Sequence, residues 1–239
     1  MTLIKARAAL ACAALLAPSY AFATTHVITE TYTIAPAAPS YSITFYLPGF
    51  DPSQGTLTNI ELLLTATTTA VIDVYNADLT PETFTNATVS VPVTVVGPAS
   101  TKVSATVAAT EDKGNVPASF SLDYFGTNYT IFGSSVYSGV TGTETNSVSV
   151  PYLDFSEYEG PTLTLPFTAT AYKGTYGGTA DPGVNFGGSA IAGGSFELIF
   201  TYTTPGTPEA STWAMMGLGF VGLGFAGWRS ARKSARYVG

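Results

Sequence analysis

The sequence predicts an all-β protein: a single β-sandwich or jelly-roll-like domain, flanked by an N-terminal signal peptide and a C-terminal transmembrane helix. Three observations support this. Short runs rich in Thr, Val, Tyr and Phe alternate in polarity with a period of two, which suits half-buried pleated surfaces. No long 3.6-residue periodicity runs through the body of the chain. Clusters of Gly, Pro, Asp and Asn punctuate the runs with turn chemistry.

The chain opens with a secretory signal over residues 1–23. Lys5 and Arg7 form its basic region, residues 8–17 its apolar run, and Ala21-Phe22-Ala23 a small-x-small site, so cleavage is predicted after Ala23. The single cysteine, Cys12, lies inside that apolar run. The segment before it is too short for a lipobox, and the mature chain is left with neither a thiol nor a disulfide.

Residues 24–204 form the predicted domain, long enough for one sandwich with a substantial core. Residues 40–47 alternate, with Tyr41, Ile43, Phe45 and Leu47 on one face. Residues 57–67 follow, with Leu62 and Leu64 set against Leu63 and Thr65, and then residues 71–75, 88–96 and 101–108. Leu163, Leu165, Phe167 and Ala169 share a face, as do Phe196, Leu198, Phe200 and Tyr202. Turns are expected at Pro48-Gly49, Asp51-Pro52, Gly97-Pro98, Asp112-Lys113-Gly114-Asn115 and Asp181-Pro182-Gly183, and residues 173–194 read as a long Gly-rich loop or loosely ordered hairpin.

Residues 205–239 form the tail, with an uncharged apolar stretch at 213–228 read as a transmembrane helix. Sixteen residues rise roughly 24 Å, a little short of a hydrocarbon core of about 30 Å. Trp213 and Trp228 suit the two interfaces, and Arg229, Arg232 and Lys233 suit the cytoplasmic side. Gly217-Leu-Gly-Phe-Val-Gly222 formally matches a dinucleotide-binding fingerprint, but no βαβ unit or later acidic residue can follow it.

Formal net charge is −7 for the whole chain, yet six of its nine Lys and Arg lie in the leader and tail. Between residues 24 and 207 only Lys102, Lys113 and Lys173 stand against fifteen Asp and Glu, giving about −12. With no basic footprint, nucleic acid is excluded as a partner, and so is anionic lipid. His26 is the only histidine and sits near the mature N-terminus, where chains are commonly loose. Ser-His-Asp or Cys-His catalysis and tetrahedral zinc therefore lack their residues, and no cofactor is expected.

Carboxylates remain. Asp154, Glu157 and Glu159 lie close together, interleaved with Tyr152, Phe155 and Tyr158. They are weak candidates for Ca²⁺ ligands, or for acids beside sugar-stacking rings in a hydrolase. The plainer reading, a solvated loop whose aromatics pack inward, is preferred. Asn86, Asn128 and the threonines of residues 65–69 are candidate glycan acceptors.

Two resemblances add to this. Pro208-Glu209-Ala210-Ser211-Thr212-Trp213-Ala214-Met215-Met216, the Gly/Leu/Phe run and the basic end resemble the PEP-CTERM sorting signal of Gram-negative bacteria; Ala210 stands where that motif has a second proline. The resemblance implies recognition by exosortase, a transient inner-membrane intermediate, and delivery to the cell surface or extracellular matrix. Residues 47–62, from Leu47-Pro48-Gly49-Phe50-Asp51-Pro52 onward, and the closing strand at 194–204 resemble the choice-of-anchor E domain, an exported family of unknown function. The expected role is a non-enzymatic exported surface or matrix protein of the biofilm. The alternative is a module binding extracellular polysaccharide or Ca²⁺, and a carboxylate-based glycoside hydrolase ranks last.

Overall fold

A strand with apolar residues at every second position must cover that face with another layer. In the computed structural model, which describes residues 23–206 and 210–234, two sheets cover each other. The strands are β1 (Thr24–Ala37), β2 (Tyr41–Pro48), β3 (Thr56–Asn76), β4 (Glu82–Val96), β5 (Lys102–Val116), β6 (Phe120–Tyr124), β7 (Thr127–Ile131), β8 (Gly133–Ser149), β9 (Thr164–Ala171), β10 (Thr175–Ala180) and β11 (Val184–Thr204). One sheet runs β1-β11-β3-β8, and the other runs β10-β4-β9-β2 with β5 also paired to β4. β6 and β7 form a two-stranded sheet of their own. The all-β expectation holds, the body of the chain being built from strands.

The core lies between the two large sheets. Its centre is a group of rings drawn from both: Phe45 of β2 and Phe167 of β9 meet Phe196 of β11, at centroid distances of 5.6 and 4.9 Å. Tyr32 of β1 stacks on Phe45 at 3.9 Å. Alternation at Phe45 and Leu47, at Leu165, Phe167 and Ala169, and at Phe196, Leu198 and Phe200 places these side chains inside, as the sequence pattern predicts. Along one flank the sheets are sewn together where β8 lies against β5. Asn146 donates from Nδ2 to the Ser104 carbonyl at 2.9 Å, and Gly142 leaves no room for a Cβ against the Ala108 backbone.

The outward faces explain the threonine-rich composition. Cross-strand hydroxyl pairs bridge Thr65 to Thr145 at 3.1 Å, Thr88 to Thr110 at 2.9 Å and Thr44 to Thr168 at 3.4 Å. Such rungs stabilise neighbouring strands by about 0.2–1 kcal/mol each. Within the 65–69 run, Thr68 faces inward and donates to the Ile191 carbonyl at 2.8 Å, so it is no glycan acceptor.

Four expectations are corrected here. Residues 112–115 are not a turn but part of β5, paired to β4 at Thr85↔Lys113 and Phe84↔Gly114. Gly114 is there because a Cβ would strike the Phe84 ring and the Tyr137 hydroxyl. Residues 173–194 are not a loop. They supply β10 to one sheet and the start of β11 to the other, joined at Asp181-Pro182-Gly183. Glycine serves β11 at Gly188 (φ 135°) and Gly194 (φ 146°), where the backbone crowds the Val71 and Thr65 carbonyls. His26 belongs to β1 and stacks on Tyr202 at 5.2 Å, so the start of the domain is an ordered strand. Leu163 precedes β9 and is partly exposed.

Residues His26–Tyr202 form one compact unit, and the C-terminal helix belongs to another. That helix, α1 (Ala210–Ser234), is longer than the expected 213–228 and takes in Arg229, Arg232 and Lys233. Among the described residues no helix is long and apolar enough to cross a membrane, so the expected span at 213–228 is not shown. Glycines at 217, 219, 222, 224 and 227 dilute its apolar content. They lie within helix, without the strand and turn of a nucleotide site. Residues 1–22, Ala21 among them, and Pro208 and Glu209 lie outside the described residues.

Two tests follow from the packing. Asn76 is fully buried at the end of β3 and donates to the Thr80 and Pro117 carbonyls at 2.7 and 3.1 Å, while its Oδ1 accepts from the Asp78 N–H at 2.8 Å. Asn76→Leu strands all three groups and should lower unfolding free energy by about 3 kcal/mol, read by denaturant titration. Tyr158 is also fully buried, its hydroxyl donating to the Pro98 carbonyl at 3.2 Å. Burial, aided by the nearby Asp154 and opposed by a hydrogen bond with Thr101, raises its pKa above the ordinary 10.0. The folded state then holds its proton more tightly than the unfolded state. That stability is complete below pH 10 and is lost as pH climbs through the raised value. Tyr158→Phe should flatten the alkaline fall in melting temperature.

Candidate functional site

The segment the sequence singles out is a single 3-10 helix, Tyr152–Glu157, entered from Pro151. The Phe155 carbonyl accepts from the Tyr158 N–H at 2.9 Å and closes the helix. Its aromatics divide. Phe155 and Tyr158 are buried and anchor the segment, while Tyr152 is 79% exposed and Leu153 89%. Tyr152 stands edge-on to Phe155 at 5.2 Å, so its ring is held against the anchor while its other face meets solvent.

The turn that residues 47–62 encode lies beside it. Asp51 accepts from the Ser53 N–H at 2.9 Å and caps a short 3-10 turn, Pro52–Gln54, which leads into β3. Backbone bonds fasten the two segments: Phe50 N–H to the Tyr158 carbonyl at 2.9 Å, and Gly160 N–H to the Phe50 carbonyl at 2.8 Å. Gly49 is tightly enclosed, its α-carbon facing the Tyr158 carbonyl and the Leu163 side chain. Phe50 itself is buried against Phe200 and Tyr202 of β11. Residues remote in sequence therefore build one end of the sandwich.

Between them lies an open groove of about 460 Å³. Pro52, Thr56 and Leu57 form one side, and Tyr152, Ser156 and Glu159 the other. The three candidate carboxylates do not converge there. Asp154 and Glu157 sit three apart on one 3-10 turn, hence on the same side of it, and neither lines the groove. Glu159 alone does. A glycosidase pair must flank one cleft at a separation of about 5–9.5 Å. The groove holds one acid, an exposed ring and a hydroxyl, groups able to stack on and hydrogen-bond a sugar. Among the described residues no group of three or more His, Cys, Asp or Glu is placed to hold a metal ion.

A second exposed feature escaped the sequence reading altogether. β6 and β7 form a hairpin with every residue of both strands exposed. The alternation in Phe120-Ser-Leu-Asp-Tyr and Thr127-Asn-Tyr-Thr-Ile, broken by Gly126, was the available signal. Of the tail, Met216, Leu218, Phe220, Val221, Leu223, Phe225 and Trp228 are exposed around α1.

Comparison with known proteins speaks to the tail. Residues 206–233 match the PEP-CTERM protein-sorting motif, in agreement with the resemblance of the Pro-Glu-Ala segment. The motif implies exosortase as processing partner, export, and membrane-associated processing. No curated protein matches the chain. Among solved structures, a chain of the T13 IBDV viral particle is 14% identical, covering 78% of this chain and 44% of that one, with a TM-score of 0.15. A chain of the infectious bursal disease virus Gt strain is 11% identical, covering 90% and 54%, with a TM-score of 0.12. This chain spans about half the length of each, and likeness at that level supports no conclusion about it. What is shown is a β-rich exported protein whose tail carries a PEP-CTERM sorting motif.

Proposed function

We propose that this is a non-enzymatic exported protein, a choice-of-anchor E-like β-sandwich delivered to the cell surface or extracellular matrix after exosortase removes its tail. The match of residues 206–233 to the sorting motif carries the reading. The acidic body supports it: a net charge of about −12 over residues 24–207 favours solubility outside the cell. Glu159 alone of the three clustered acids lines the groove, so they do not make the facing pair a glycosidase uses.

A second reading concerns what the body holds. The groove beside Tyr152, with Ser156 and Glu159 at its wall, suits a segment of extracellular polysaccharide stacked on the exposed ring.

Intact-mass measurement of the exported protein tests the first reading. Expected is a chain starting at Thr24 and ending near Pro208 or Glu209; a secreted form that retains Arg236 refutes processing of the tail. For the second, Tyr152→Ala should weaken retardation in polysaccharide-containing gels by about fivefold, the loss of one stacked ring. Ca²⁺ and EDTA should leave the melting temperature unchanged.

A further inference from the structure

The groove at the end of the sandwich carries a charge that the chain itself leaves unanswered. Glu159 lines it and is half-buried, and among the described residues no hydrogen bond or ion pair reaches its carboxylate. Its backbone is fixed on both sides. The Phe50 N–H bonds the Tyr158 carbonyl before it, and the Phe50 carbonyl takes the Gly160 N–H after it. The stem of the side chain is therefore anchored at the wall. The two segments that build the groove supply no counter-ion. Residues 47–62 contain Asp51 and Glu61, residues 151–163 contain Asp154, Glu157 and Glu159, and neither has a Lys, Arg or His. The three lysines of the body, Lys102, Lys113 and Lys173, lie in neither.

These facts select the chemistry of an occupant, and the selection rests on the reading that the groove holds a polysaccharide. A half-buried carboxylate without a partner is costly, and an ammonium group is the ligand that relieves it most. A uronic or phosphate-bearing chain meets like charge instead, from a body of about −12. A neutral sugar leaves Glu159 without a counter-ion. The open face of Tyr152 takes the flat side of a sugar ring and also favours a cation close to it. A basic peptide fits less well. Peptides gain affinity by adding a strand to a free edge, and here the N–H groups of Gln54, Gly55, Asp154 and Tyr158 are already bonded within the two rims. The volume of about 460 Å³ falls within the roughly 300–1,000 Å³ of small-ligand sites. We infer that this groove recognises a polysaccharide of amino sugars, with a protonated amine at Glu159 and a sugar ring on Tyr152.

The test is calorimetric titration of the full chain with a soluble glucosamine oligomer and with its N-acetylated form, in mildly acidic buffer that keeps the amines protonated. The amino form should bind about fivefold more tightly, the worth of one ion pair, and added salt should erase the difference. Glu159→Gln should abolish the preference while leaving affinity for the acetylated form unchanged. Glu144 is an exposed acid on β8, so Glu144→Gln removes the same charge elsewhere and should keep the preference. Tyr152→Ala should weaken both forms alike, which separates loss of the ring from loss of the charge.

Equal affinity for the two oligomers overturns the proposal and leaves the polysaccharide reading standing. A preference that survives Glu159→Gln, or that Glu144→Gln removes as readily, overturns it by tracing the effect to bulk charge. A lysine oligomer that binds as tightly and loses as much on Glu159→Gln overturns it too, by assigning the groove to a basic peptide. Binding of neither sugar oligomer refutes this proposal and the polysaccharide reading together.

Discussion

The rings of Phe45, Phe167 and Phe196 are the contact on which the fold depends, because they are where the two sheets meet. β2 and β9 pair along their whole length, from Tyr41↔Ala171 to Pro48↔Thr164, which fixes Phe45 opposite Phe167. β11 belongs to the other sheet and delivers Phe196 onto that pair. Each ring also locks its strand's register, since a one-residue slip would turn the whole inward set to solvent. With no cysteine and only three lysines between residues 24 and 207, no disulfide stands behind this packing. The sandwich rests on apolar burial and on hydroxyl rungs across its outer faces.

That rigid middle leaves the two ends free to differ. At one, Phe50 and Tyr158 reach into the core and hold the Asp51 turn and the Tyr152–Glu157 segment side by side, which creates the groove. Elsewhere Asn76 and Ser119 tie a buried polar knot at the base of the β6–β7 hairpin, and among the described residues no buried side-chain nitrogen or oxygen lacks a partner. A satisfied knot of this kind specifies one arrangement. The hairpin is thus presented on a fixed base, although its own strands bury nothing.

Much of the body was legible because alternation is a local property. Phe45-Leu47, Leu165-Phe167-Ala169 and Phe196-Leu198-Phe200 all turned inward as their spacing required. Glycine is the ambiguous signal, because it marks close packing inside strands as well as turns. Gly114 serves ring packing, and Gly188 and Gly194 serve close approach of β11 to β3, contacts made by residues far away in the chain. His26 lies near the start of the domain, yet β11 gives it a neighbour in Tyr202. Of the candidate site, the buried Phe155 and Tyr158 fit the inward packing expected of its aromatics and the exposed Tyr152 does not, and proximity in sequence did not bring Asp154 and Glu157 into the groove with Glu159.

By itself the sequence determined the all-β class, the inward sets of residues, the acidic body and the sorting tail, since each depends only on residue type and short spacing. Only the tertiary structure decided which strands share a sheet, that residues 173–194 cross between sheets, and which of the clustered acids faces the groove. It also decided that the apolar face of residues 120–131 is left uncovered. These depend on contacts between distant segments, and no local pattern encodes a partner that the chain must fold to meet.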